Sequence, residues 1–186
     1  MRVFAVAESF GKPATKSSLA GVVMRRDLVI DGLVFGSATI AGDDSTDQIL
    51  SMYFSLQRDD VNCIILDGLV ISMYNIIDGQ RLSEKTGLAV IAITFEDSMG
   101  LEGAIKHHFP ETWEKKLAAY NELGARQRIT LKTGKNLYIR CWGTDIKQAT
   151  FLLDSFTLQG AVPEPIRVAK MAARCAMAAR CANALN

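Results

Sequence analysis

Acidic side chains that could meet on a divalent cation are the chemistry this sequence offers first. In VNCIILDGLVIS, residues 61–72, the apolar run Cys63–Leu66 breaks off at Asp67-Gly68. A short run without polar alternation suits a parallel strand covered on both faces, and such strands carry their chemistry at their carboxyl ends. Gly68 lets the backbone turn sharply, so Asp67 reads as a metal ligand or acid-base group, or as an ordinary Asp-Gly turn. A second group lies in GDDSTDQI, with Asp43, Asp44 and Asp47, and Glu8 follows the first apolar run. Clustered carboxylates repel one another unless cations neutralise them. Mg²⁺ (or Mn²⁺) takes oxygen ligands and keeps several waters, so it can activate water and hold a phosphate. Asp67, Asp44, Asp43 and Asp47 are the candidate ligands. Asp67 and Asp44, with Glu8, are the candidate catalytic set. The same residues have structural readings: GDDSTDQI is a good helix start, capped at Asp44 or Ser45, and Glu8 is an ordinary strand-end charge.

Other reactive types are less suggestive. Adjacent His107 and His108 point in different directions on a helix and no acid or serine motif recruits them, so they read as surface or half-buried groups. Tyr74, Trp142 and Phe10 could stack on bases, though isolated aromatics are more often core or cover. Arg25-Arg26, Lys12 and Lys16 could touch phosphate, and a hairpin turn and a loop are also the usual places for solvated charge. Cys63 and Cys141 sit in apolar strand-like runs as small hydrophobes. Cys175 and Cys181 are six apart on a helix, which does not put them on one face for a metal. The absence of CxxC fits an intracellular, reduced chain.

The elements that must position these groups fit one domain spanning residues 1–186, long enough to bury a two-sided sheet without staples. The net charge of +1 neither demands nor excludes a nucleic-acid partner. The N-terminal apolar run is too short for a signal peptide and no run approaches membrane-spanning length, so the expectation is a soluble, cytoplasmic protein without a membrane partner.

The pattern predicts strands over 2–7, 19–24 and 28–36, the last two joined as a hairpin through Arg25-Arg26-Asp27. A helix capped at Asp44 or Ser45 runs to about Gln57, followed by the strand at 63–66. A helix over 75–85 ends at Gly87, and a strand covers 89–94. Helices over 101–109 and 112–123 are separated by Pro110. A hairpin of 128–131 and 137–142 follows, then a helix capped at Thr144 or Asp145 to about Leu158. Pro165 sits in the first turn of a last, alanine-rich helix. A three-strand antiparallel meander followed by strand–helix alternation is an α/β domain with a mixed sheet, in the ribonuclease H-like order.

Four segments together resemble a known family: RRDLVIDGLVFGSATIAGDDSTDQI, DVNCIILDGLVISMYNIID, TGLAVIAIT and GAVPEPIRVA. They resemble the archaeal DUF99 (UPF0215) family, which is similar to endonuclease V and to deoxyuridine-directed endonucleases. The resemblance covers nearly the whole chain. It implies a ribonuclease H-like fold, DNA as partner, and Mg²⁺-dependent cleavage of a phosphodiester near a deaminated base, uracil or hypoxanthine. Asp67 matches the strand-4 aspartate of the endonuclease V pattern, and the second carboxylate falls within 43–47, with Asp44 favoured and Asp47 next. The first strand departs from it: relatives read Gly-Ile-Asp-Asp where this chain has Ala5-Val6-Ala7-Glu8. By strand alternation Glu8 should face away from the position Ala7 occupies. The strand-5 lysine of endonuclease V falls near Thr94-Phe95, and its aromatic wedge has no counterpart in residues 38–42. A fold kept for binding or interaction without cutting is the alternative reading.

Overall fold

The computed structural model describes residues 1–11, 14–97 and 100–183; Lys12 lies outside them. The chain opens with β1 (Arg2–Ser9), β2 (Lys16–Arg25) and β3 (Ile30–Thr39), then α1 (Ser45–Ser55) and β4 (Cys63–Asp67). A small hairpin, β5 (Val70–Ile71) with β6 (Asn75–Ile76), leads into α2 (Gly79–Thr86) and β7 (Ala89–Thr94). Helices α3 (Glu102–His108) and α4 (Trp113–Glu122), strands β8 (Gln127–Thr130) and β9 (Asn136–Trp142), and helices α5 (Ile146–Ser155) and α6 (Glu164–Asn183) complete it.

Among the described residues, seven strands form one mixed sheet in the order β3-β2-β1-β4-β7-β9-β8. β1 and β2 pair antiparallel, as do β2 and β3. β4 runs parallel to β1 with Val6 opposite Leu66, and β7 runs parallel to β4 with Asp67 opposite Ile93. The central strands are therefore apolar on both sides, as their sequences require. Phe4, Val6, Ile64 and Leu66 face one core, with Ile49 and Met52 of α1 and Leu82 of α2. Val3, Ala5, Ala7, Cys63 and Ile65 face the other, with Leu153 of α5 and Ile166 and Ala169 of α6. Each fully buried aliphatic side chain contributes roughly 1.5–3 kcal/mol by leaving water. This period of two fixes which sheet face every strand-end side chain can serve.

Three sequence expectations shift. The segment expected as one helix over 75–85 begins instead as β6, and α2 starts only at Gly79 behind its cap Asp78, which accepts from the Arg81 amide. The reason is Asn75: its buried amide accepts from Ser45 N and donates to Thr39 O and Asp44 Oδ1, which pins residue 75 outside a helix. Helix α1 ends at Ser55 rather than Gln57, whose φ is +50°. Helix α5 stops at Ser155, short of Leu158. Gly87 does cap α2 in the left-handed region, with φ of +70°. Among the described residues, no helix is long and apolar enough to cross a membrane.

Candidate functional site

Asp67 is the last residue of β4, and alternation from Cys63 and Ile65 sends its side chain toward α6. There it meets Lys170, whose Nζ lies 3.0 Å from Oδ1 and 2.9 Å from Oδ2. The Asp67 side chain is 15% exposed and that of Lys170 32%, so the pair is largely shielded from solvent. The ammonium also lies 4.9 Å from the centre of the Phe95 ring, just past the end of β7. Charge-assisted hydrogen bonds and an aromatic face thus converge on one lysine. Ala7 lies one residue beyond the Val6–Leu66 pair, hence beside Asp67 on the α6 face of the sheet.

Glu8, next in β1, turns to the opposite face, as alternation requires. Its two carboxylate oxygens accept from Ser72 N at 2.9 Å and Ser72 Oγ at 2.8 Å. Ser72, Met73 and Tyr74 join β5 to β6 with φ of +45°, +57° and +67°, three successive non-glycine residues in the left-handed region. Such a run is strained and needs outside support. Glu8 supplies part of it, Ala41 N donates to Ser72 O, and the buried Lys116 donates to Tyr74 O.

Asp44 precedes α1 but makes no side-chain cap on it. It turns back instead, accepting from Thr39 N at 2.9 Å, Thr39 Oγ1 at 2.7 Å and Asn75 Nδ2 at 2.7 Å. Burial pushes its carboxyl up, but the Thr39 and Asn75 hydrogen bonds outweigh this and hold it below the usual carboxylate range. Asp43 pairs with Lys116 at 2.8 Å and Lys115 at 2.9 Å; the Lys116 hydrogen bond is the main reason its carboxyl is held low. Asp47 is exposed on α1 and paired with Arg81 of α2.

The candidate acids therefore occupy separate positions, each with its own partner: Asp67 on Lys170, Glu8 on Ser72, Asp44 on Thr39 and Asn75, Asp43 on two lysines, Asp47 on Arg81. Among the described residues, no three His, Cys, Asp or Glu side chains are grouped to hold a metal ion. Mg²⁺ or Mn²⁺ binds through carboxylate oxygens, and here Asp67 at the β4 end has an ammonium on both of its oxygens, with Glu96 the one further acid among the described residues of the adjoining pocket. As arranged, these residues do not fit a divalent cation.

Beside Asp67 the sheet ends in a pocket of about 410 Å³. Leu69, Ile93 and Phe95 are among its apolar walls, and Thr94, Tyr120 and Arg140 bring polar groups. Arg140 donates to Gly124 O at 2.8 Å. Burial holds its guanidinium below the ordinary arginine value; Tyr120 works against that and the neighbouring Arg126, also lining the pocket, adds to it. The size and the mix of apolar walls with a few polar groups are those of a small-molecule or base-sized site.

The pattern of the family described as endonuclease dU matches residues 1–177. The chain belongs to that family. A UPF0215 protein of Pyrobaculum calidifontis is 39% identical over 170 residues, 91% of this chain and 93% of the relative. Among solved structures, a protein of unknown function from Archaeoglobus fulgidus superposes with a TM-score of 0.79 at 23% identity, covering 95% of this chain and 98% of that one. Endonuclease V of Ciona intestinalis, solved with a 24mer DNA containing an inosine followed by a ribo-adenosine, gives 0.61 at 14% identity over 95% and 85%. The fold is thus the ribonuclease H-like fold of endonuclease V, and the family is one of nucleic-acid endonucleases.

Sequence reasoning placed Asp67 at the end of its strand and Ala7 and Glu8 on opposite faces. It passed over Lys170, Arg140 and the pocket. A signal for Lys170 existed: Ile166, Ala169 and Ala173 mark the buried stripe of α6, and the helix's one lysine borders it. His107 and His108 are exposed, as expected. Arg25 pairs with Asp27, and Arg26 lies over Phe151 rather than beside the pocket.

Proposed function

We propose that this chain recognises DNA carrying a deaminated base, uracil or hypoxanthine, by taking the base out of its stack into the pocket beside Asp67. The observation that carries the reading is a base-sized pocket at the carboxyl ends of β4 and β7 in a chain of the endonuclease dU family. Bases modified or read outside a duplex are gripped by stacking against apolar and aromatic walls and by hydrogen bonds to their polar edge. Leu69, Ile93 and Phe95 offer the first, and Thr94, Tyr120 and Arg140 the second. Arg126 and Arg140 put positive charge near the phosphates flanking such a base. The endonuclease V complex with inosine-containing DNA supports the choice of partner.

Strand cleavage dependent on Mg²⁺ or Mn²⁺ is the second reading, with Asp67, Asp44 and Glu8 as its acids; it is favoured by family membership and by Asp67 at the β4 end. Ala7 and the Lys170–Asp67 pair weigh toward recognition alone. Oligonucleotide duplexes with uracil, hypoxanthine or no lesion separate the readings, in binding and nicking assays with either metal. Recognition predicts tighter binding of the lesion duplexes, lost when Val70→Trp fills the pocket. Nicking by the wild type that disappears in Asp67→Ala would move the reading to the endonuclease. Equal binding of all three duplexes without nicking of any would remove both.

A further inference from the structure

We infer that Lys170 supplies, at the carboxyl end of β4, the positive charge that a divalent cation would otherwise bring, so that the chain engages nucleic acid without a bound metal. The inference deepens the recognition reading and rests on the same site. Three observations carry it.

The first is the pairing itself. Both oxygens of Asp67 lie within 3.0 Å of the Lys170 ammonium. A cation entering there would have to displace a like charge that already satisfies the carboxylate. The second is the poverty of other donors: among the described residues lining the pocket, Glu96 is the one further acid. Ala7 sits beside Asp67 with a methyl group, and Glu8 is committed to Ser72 on the far face of the sheet. Thr94 Oγ1, at the end of the neighbouring strand, donates to Tyr138 O. A carboxylate already paired with an ammonium, with a single further acid in the pocket, offers a divalent ion a poor coordination shell.

The third is how firmly the lysine is held. Ile166, Ala169 and Ala173 are fully buried and fix α6 against β1 and β2, and residue 170 follows directly on that stripe. The Phe95 ring receives the same ammonium at 4.9 Å. Lys170 is thus held against Asp67 and Phe95, two residues of the pocket wall, rather than being a surface side chain at rest on an acid.

Such a centre does different work from a metal. An ammonium holds Asp67 in place. It brings one positive charge rather than two and cannot coordinate a water for attack. Nucleic-acid binding is then indifferent to chelators.

The test is a Mn²⁺ titration of the full chain without nucleic acid, following free Mn²⁺ by electron paramagnetic resonance. Wild type, Lys170→Met, Ala7→Asp and the Ala7→Asp/Lys170→Met double variant are compared, with circular dichroism to establish that each is folded. No saturable site is expected in the wild type. The double variant, with two neighbouring carboxylates and no ammonium, should bind at least about tenfold more tightly than Ala7→Asp alone. A stoichiometric Mn²⁺ site in the wild type, unaltered by Lys170→Met, would overturn the inference, as would equal affinities in the two Ala7→Asp chains. If the variants do not fold, wild-type anisotropy on a uracil duplex with and without EDTA decides it: unchanged affinity supports the inference, and loss on chelation overturns it. Because the titration contains no DNA, its outcome is separate from whether the pocket takes a deaminated base.

Discussion

Glu8 directly, and Asp43 through Lys116, hold together the turn at Ser72–Tyr74 that this sequence would not adopt unaided. Three left-handed residues without a glycine survive because Glu8 takes the Ser72 amide and hydroxyl, while Lys116 bridges Tyr74 O, Gly42 O and Asp43. Glu8→Ala should therefore destabilise the chain by about 2 kcal/mol, the scale of hydrogen bonds to a charged group, measured by urea unfolding. A second group of charges ties the start of the chain to the β3 edge. Arg58 lies 2.8 Å from both Asp31 and Asp60, and Arg2 pairs with the same two acids. The Arg58 hydrogen bond, opposed by burial and helped by Arg2, lowers the Asp60 carboxyl from 3.8 to about 2. A depressed carboxyl stabilises the fold above its unfolded value and loses that contribution as pH falls through its folded value. The melting-temperature gap between wild type and Asp60→Asn should be full above pH 5 and close progressively from about 4 to about 2.

At the scale of elements, helix ends show what local chemistry can and cannot tell. Asp145 caps α5 as its sequence suggests, accepting from the Gln148 amide at 2.8 Å. Asp145→Ala should cost about 1 kcal/mol in thermal or denaturant unfolding, with little effect on DNA binding. Asp44 sits at the equivalent place before α1 with equally good cap chemistry, yet it serves the β3 end and Asn75. Nothing local distinguishes the two; the choice is made by Asn75, thirty-one residues away in sequence. The same long-range tie explains why residues 75–78, helical by pattern, become β6 and a cap. The strands were legible because apolar runs bounded by turns depend on nearest neighbours. The face served by Glu8 was legible for the same reason, since a period of two leaves it no freedom. The stripe that Lys170 borders was legible, but its pairing was not, because its partner comes from a strand 103 residues earlier.

At the scale of the whole molecule, the sheet order brings the ends of β1, β4 and β7 side by side, with α6 packed over β1 and β2, and puts the pocket beyond the ends of β4 and β7. The fold thus keeps the architecture of a nucleic-acid endonuclease while the charge at its centre comes from a side chain. Recognition of a base would need only the pocket and its rim, whereas hydrolysis would need donors that this arrangement commits elsewhere. Fluorine NMR of a duplex carrying 5-fluorouracil, titrated with the chain in EDTA, tests this most directly. The account predicts that the fluorine resonance shifts on saturation and returns toward its free position with Val70→Trp. A resonance that stays in place on saturating wild-type chain would contradict it.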